Sequence, residues 1–96
     1  MAKVTVVAKL VVKQEAVETV KAELLKMVEP TRQEPGCIEY RLHQDNGNPE
    51  VFLFYENWEN LSCVEQHIKS AHYQSYAAVV RELISERVVY KMTEIA

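Results

Sequence analysis

Residues 3–13 alternate in polarity. Val4, Val6, Ala8, Leu10 and Val12 fall on one side, and Lys3, Thr5, Val7, Lys9, Val11 and Lys13 on the other. A period of two with β-branched enrichment predicts a strand. The period then lengthens: Ala16, Val17, Val20, Leu24 and Val28 recur at helical spacing while Glu15, Glu18, Lys21, Glu23 and Lys26 turn outward, which predicts an amphipathic helix. That helix is expected to end near Pro30 or a turn later, and to be over by Pro35-Gly36. Alternation returns over 37–44, with Ile38, Tyr40 and Leu42 set against Glu39, Arg41 and His43. Asp45-Asn46-Gly47-Asn48-Pro49 is turn chemistry, in which Asn-Gly suits positive φ and Pro49 cannot continue a ladder. Residues 51–58 supply the other arm of an antiparallel hairpin. Asn60 or Ser62 then caps a helix carrying Leu61, Val64 and Ile68, which the polar Lys69-Ser70 step interrupts. A second helical stretch puts Tyr76, Val79, Val80 and Leu83 on one stripe, and 87–95 closes as a strand with Val88, Tyr90 and Met92 alternating.

The order is β-α-β-β-α-β. It predicts an α+β, ferredoxin-like fold over residues 1–96 as one domain: a four-stranded antiparallel sheet with its helices on one face. The even-numbered positions Val4, Val6, Leu10, Ile38, Leu42, Phe52, Phe54, Val88 and Met92 are expected under the helices. The odd face mixes Val7, Val11, Val51, Leu53, Tyr55 and Val89 with Lys, Thr and Arg, too apolar to be left in water. Two such sheets packed together would bury roughly 2,000 Å² or more, the range of obligate homodimers. A homodimer is therefore expected.

Charge narrows the partners. The net charge of -3 comes with no basic stripe, which argues against nucleic-acid binding. No apolar run approaches the ~20 residues of a membrane span, and Met1-Ala2-Lys3 leads into the strand pattern without a charged-then-apolar leader, so a cytoplasmic protein is expected. Cys37 and Cys63 stand alone, outside any CxxC or zinc spacing, and read first as half-buried thiols.

There is no Gly-rich phosphate loop, GxSxG or HExxH, so neither a nucleotide cofactor nor acyl-enzyme chemistry is expected. Candidate chemistry concentrates between Gly36 and Tyr76. Phe52, Phe54, Glu56 and Trp58 share one face of their strand, Tyr40 faces the same side, and His67, His72 and Tyr73 follow on the helices. Aromatic walls with a few polar tips are how small-ligand sites are built. Glu56 on an apolar face needs a partner or a proton, unless it caps the following helix. His67 and His72 stand five apart, not a same-face helical spacing, so they read as one proton-handling group and one structural histidine and not as a metal pair.

The run Glu34-Pro35-Gly36-Cys37-Ile38-Glu39-Tyr40, then Glu56-Asn57-Trp58, then His67 with Ser70-Ala71-His72-Tyr73 resembles the antibiotic biosynthesis monooxygenase family over essentially the whole chain. The resemblance implies a dimeric α+β barrel with a cavity between sheet and helices in each subunit. Activities in that family include oxidation of polyketide or quinol rings without metal or flavin, haem degradation, and processing of a phosphorylated sugar. The haem-degrading members use an Asn on the first strand; here that position falls on Ala8, which cannot donate a hydrogen bond. The expectation is a cofactor-independent monooxygenase for a hydroxylated aromatic, quinol or polyketide-like ring. His67, Trp58, Glu56 and His72 would be catalytic, and Tyr40, Phe52, Phe54, Tyr73 and Tyr76 would hold the ring. Two alternatives stay open: an isomerase or carbonyl-handling enzyme for a small phosphorylated metabolite, and a ligand-binding module without catalysis. The first needs cations in the cavity, for which Arg41 and Lys91 are candidates whose alternation phase points them outward.

Overall fold

These periods resolve, in a computed structural model describing residues 3–96, into β1 (Val4–Val12), α1 (Val17–Arg32), β2 (Cys37–Gln44), β3 (Val51–Trp58), α2 (Leu61–Lys69), α3 (Ala71–Val80) and β4 (Ile84–Met92). Met1 and Ala2, with which the expectation of no leader begins, lie outside the described residues. Short 3-10 turns precede α1 and follow α3. The strands pair antiparallel in the order β2-β3-β1-β4, the ferredoxin-like arrangement.

The helices cover one face of this sheet. From α1, Val20, Leu24, Met27 and Thr31 are buried, a stripe that runs about two turns beyond Leu24 because Pro30 sits inside the helix and does not end it. Pro30 has no N–H to give the carbonyl four residues back, a loss tolerated in the last turn of a helix that already buries its inner face. Opposite lie Val6, Leu10 and Val12 of β1 with Phe52, Phe54 and Trp58 of β3. On α2 and α3 the inner positions are Val64, His67, Tyr76 and Val80. Leu61 and Val79, expected inside, are about half exposed, because the inward stripe lies on their neighbours.

The largest departure from the sequence pattern is in β4. Ala8 pairs with Phe54 of β3, keeping even residues on one face, but it pairs with Val89 of β4, bringing odd residues to that face. Arg87, Val89 and Lys91 therefore face the helices, and Val88, Tyr90 and Met92 the open side, the reverse of the expectation. The local alternation of β4 cannot fix its face, since Val88 and Val89 are both apolar; pairing with β1 decides it. The strand also begins and ends about three residues earlier than expected. A second irregularity, between Cys37 and Glu39, turns Ile38 outward to 48% exposure while Cys37 pairs with Trp58.

The β2–β3 turn is closed by Asp45 N–H to Val51 O (2.9 Å) and Val51 N–H to Asn48 O (3.0 Å). It makes no use of positive φ at Gly47. Among the described residues the left-handed position is Gly36, at φ +82°. A Cβ there would stand 2.3 Å from Cys63 Sγ, so the glycine lets the entry to β2 press against α2. Gly36 O also accepts from Glu59 N–H at 2.9 Å. Gly36→Ala should destabilise the protein by about 2–4 kcal/mol, from left-handed strain plus overpacking. Urea unfolding measures this, and a loss under 1 kcal/mol would contradict the close approach.

Candidate functional site

Between the helices and the inner sheet face runs a narrow cavity with about 40 Å³ of free volume. Ala8 and Leu10 of β1, Tyr40 of β2, Phe54 and Glu56 of β3, and Val89 of β4 form its floor. His67 and Ile68 of α2 with Tyr73 and Tyr76 of α3 form its roof. Tyr40 stacks on Phe54 with ring centroids 4.9 Å apart. Tyr73 meets both His67 (5.1 Å) and Tyr76 (5.5 Å) edge-on. Six of the nine site residues expected from the sequence thus line one space: Tyr40, Phe54, Glu56, His67, Tyr73 and Tyr76.

The other three do not line it. Phe52 is 1% and Trp58 0% exposed, both in the core. Trp58 acts through a neighbour: its Nε1–H donates to Glu56 Oε1 at 2.9 Å, so Glu56 is tied to the indole while Asn60 caps the following helix. His72 lies on the far side of His67, against a shallow groove with Glu23, Met27 and Ser75.

His67 and His72 meet all the same, through a residue the sequence reading left without a role. Glu34 Oε2 stands 2.7 Å from His67 Nδ1 and 2.6 Å from His72 Nε2. A carboxylate can only accept, so both nitrogens carry hydrogen. The five-residue spacing misleads because Ser70, at φ -66° and ψ 153°, ends α2 and starts α3. Its hydroxyl donates to His67 O (2.6 Å) and accepts from Tyr73 N–H (3.3 Å), so one side chain turns the corner. Glu34 is positioned by the turn after α1, where its N–H reaches Thr31 O and its carbonyl accepts Cys37 N–H. The residue was legible only as part of the Glu34–Tyr40 run.

Burial pushes the His67 imidazole below its ordinary range, against the opposing pull of the Glu34 carboxylate. A neutral His67 with its hydrogen on Nδ1 leaves a lone pair on Nε2, which has no protein partner among the described residues. Glu56 goes the other way: burial raises its carboxyl to about 7, opposed by the Trp58 hydrogen bond. The two shifts run in opposite directions and favour the uncharged form of each group, a protonated carboxyl beside a neutral imidazole. Tyr76 is raised to about 12 and Tyr40 further still, both chiefly by burial, so neither phenol ionises near neutrality. Cys37, raised to about 11 by burial and then by Glu34 and Glu56, stays a thiol, in keeping with its half-buried reading.

Two cations line the cavity that the sequence phase placed elsewhere or passed over. Lys91 faces inward through the pairing of β4, while Arg41 bonds Glu39 on the open side at 2.7 Å. Arg87, absent from the sequence-based site, donates to Tyr73 Oη at 2.9 Å. Among the described residues neither Arg87 nor Lys91 makes an ion pair with a carboxylate.

The ferredoxin-like fold is shared with known proteins. The family model for antibiotic biosynthesis monooxygenases matches residues 3–79, and the chain belongs to that family. The Mycobacterium tuberculosis protein named "Putative monooxygenase Rv0793" is 34% identical over 85 residues, covering 88% of this chain and 83% of that one. Its solved structure superposes with a TM-score of 0.93 over 99% of this chain and 97% of the other, at 27% identity. A Pseudomonas aeruginosa structure, PA3566, gives a TM-score of 0.94 over 100% and 97% of the two chains at 25% identity. An uncharacterised Synechocystis protein is 30% identical over 72% of this chain, which spans about half, 47%, of that longer relative.

The raised Glu56 gives stability an unusual pH dependence. The native carboxyl holds a proton that the unfolded chain releases near pH 4.5, so stability falls as pH rises from there and levels off above about 7. Glu56→Gln keeps the acceptor for Trp58 and removes the titration. The variant should show a flatter profile between pH 5 and 8, and gain on the order of 2–3 kcal/mol relative to the native protein across that window. Denaturant midpoints at several pH values measure it; parallel profiles would place Glu56 in a wetter setting than the structure shows.

Proposed function

We propose that this chain is a cofactor-independent monooxygenase acting in the cytoplasm on a hydroxylated aromatic, quinol or anthrone-like ring. The observation that carries the reading is His67: its hydrogen held on Nδ1 by Glu34, its Nε2 free, in a cavity of aromatic walls. Family membership supports an oxygenase; the ring substrate rests on the walls.

His67 Nε2 accepts the ring's hydroxyl or enol proton. The resulting anion is electron-rich enough to pass one electron to O₂, which removes the spin barrier to combination. Superoxide and the ring radical join in a carbon–oxygen bond, and a proton on the outer oxygen, for which Glu56 is the donor, gives a hydroperoxide. Loss of water leaves a new carbonyl. One oxygen atom enters the product and one leaves as water, with the substrate supplying all four electrons that reduce O₂, so no outside reductant is needed. The cavity's contribution is orientation, water exclusion and two groups with opposed proton affinities.

Metal-stripped, colourless protein should consume O₂ with an anthrone or quinol faster than buffer, and chelator should not lower the rate. His67→Ala should reduce turnover ~10²–10⁴-fold with less effect on folding. Activity that requires added iron, copper or flavin would refute the reading.

A second reading is favoured by Arg87 and Lys91 in the cavity: an isomerase or carbonyl-handling enzyme for a phosphorylated metabolite, whose anion they would pair. Thermal stabilisation by phosphorylated sugars but not by ring compounds would select it; stabilisation by rings without O₂ uptake would instead indicate a binding module.

We also propose that two copies pair through the open sheet face. Val7, Val11, Val51 and Leu53 lie there with Tyr55, Tyr90 and Met92, the last three 38–56% exposed. Equilibrium sedimentation should give twice 11.1 kDa at micromolar concentration, and Tyr90→Lys should weaken the dimer. A wild-type monomer would refute it.

A further inference from the structure

Glu34, His67 and His72 come from three separate segments: the turn before β2, the α2 helix and the first turn of α3. Their ligand atoms, Oε2, Nδ1 and Nε2, all lie within 4.8 Å of one another. The side chains are 12%, 5% and 25% exposed, so the cluster is sheltered but open on the His72 side. Two imidazole nitrogens and one carboxylate oxygen are the donor set of a borderline divalent ion such as zinc. With bonds of about 2.0–2.2 Å, tetrahedral ligand atoms stand roughly 3.3 Å apart. The two Glu34 contacts, at 2.7 and 2.6 Å, must open by about half an ångström or more to reach that spacing. Glu34, on the turn before β2, is common to both contacts and is the side chain that moves to open them, while His67 and His72 are held on α2 and α3.

We propose that this cluster is an inhibitory zinc-class cation site that works by switching the tautomer of His67. This goes beyond the oxygenase reading in its binding claim and rests on that reading in its claim about turnover. The free protein holds hydrogen on His67 Nδ1 and His72 Nε2, the two atoms bonded to Glu34. An ion takes the place of both hydrogens. A neutral imidazole carries one N–H, so a metal on His67 Nδ1 requires the hydrogen on Nε2. The hydrogen lost from Nδ1 is made good on Nε2 through water, and the ring's charge does not change. Nε2 is then a donor with no lone pair for a substrate proton. His72 makes the corresponding exchange, from Nε2 to Nδ1, at the cluster's open edge. The same carboxylate therefore has two states: with hydrogen bonds it points the base at the cavity, and with an ion it takes the base away. Because the ion sits on the far side of the ring from the cavity, the device needs no change in cavity shape.

The test uses the full chain, stripped of metal, titrated with Co²⁺ and then Zn²⁺. Expected are one Co²⁺ per chain, visible absorption of tetrahedral intensity, displacement by Zn²⁺, and no thiolate charge-transfer band. Nitrogen-detected NMR of the histidines should show the His67 hydrogen on Nδ1 in the free protein and on Nε2 with Zn²⁺. Glu34→Gln and His72→Gln should each weaken Co²⁺ binding at least about tenfold, judged only on variants that keep the native circular dichroism and a cooperative melt. Zn²⁺ should abolish O₂ uptake on whichever ring the enzyme turns over, and chelator should restore it. No saturable Co²⁺ absorption, binding unchanged in both variants, or a thiolate band assigning the ion to Cys37 or Cys63 would overturn the site. A His67 hydrogen still on Nδ1 in the Zn²⁺ form, or full turnover with the site saturated, would overturn the switch. If no ring compound is ever oxidised while the cobalt spectrum and tautomer change both appear, the site and switch stand and the oxygenase reading falls.

Discussion

One carboxylate oxygen, Glu34 Oε2, accepts hydrogen bonds from two imidazoles at once, and the arrangement of the cavity roof follows from it. The contact ties the turn before β2 to the α2–α3 corner. It fixes the ring orientation of His67 and decides which of its nitrogens is left for the cavity. Breaking it would leave a buried imidazole N–H without an acceptor, at a typical cost of about 1–3 kcal/mol. Two backbone devices hold the partners in place. Gly36, in the left-handed region, lets the Glu34 turn close against Cys63, and Ser70 divides what would have been one helix so that His72 swings back toward His67.

Below the roof, the sheet supplies a second constraint. Glu56 stands on an otherwise apolar stripe with Phe52, Phe54 and Trp58, 5% exposed and bonded to an indole N–H. A carboxyl so placed is costly when ionised and useful as a proton donor. Trp58 donates to this carboxyl and packs against His67 at 5.0 Å between ring centroids, so one buried side chain touches both ionisable groups.

The order of the elements and, for β1 and β3, the helix-covered face were legible in the sequence because periods of two and 3.6 are local and the folded chain obeys them. The turn at Asn46-Gly47 was legible as a turn but not in its dihedrals, since the φ > 0 position is Gly36. Tyr40, Phe54, Glu56, His67, Tyr73 and Tyr76 were placed on the cavity from alternation and motif alone. Trp58 and Phe52 were drawn too close to it, because residues on one strand face share a direction but not a depth.

What the sequence determined by itself, then, is each residue's membership of a strand or helix and, for β1 and β3, of a face. Tertiary structure decided whatever depends on pairing between distant segments. The face of β4 is set by its ladder with β1, which puts Arg87 and Lys91 into the cavity against their local phase. The meeting of Glu34 with residues 33 and 38 positions further along depends on a loop and a helix break that no periodicity encodes. Side-chain alternation tells which way a residue points relative to its own backbone; only the packing of one segment on another tells what it points at.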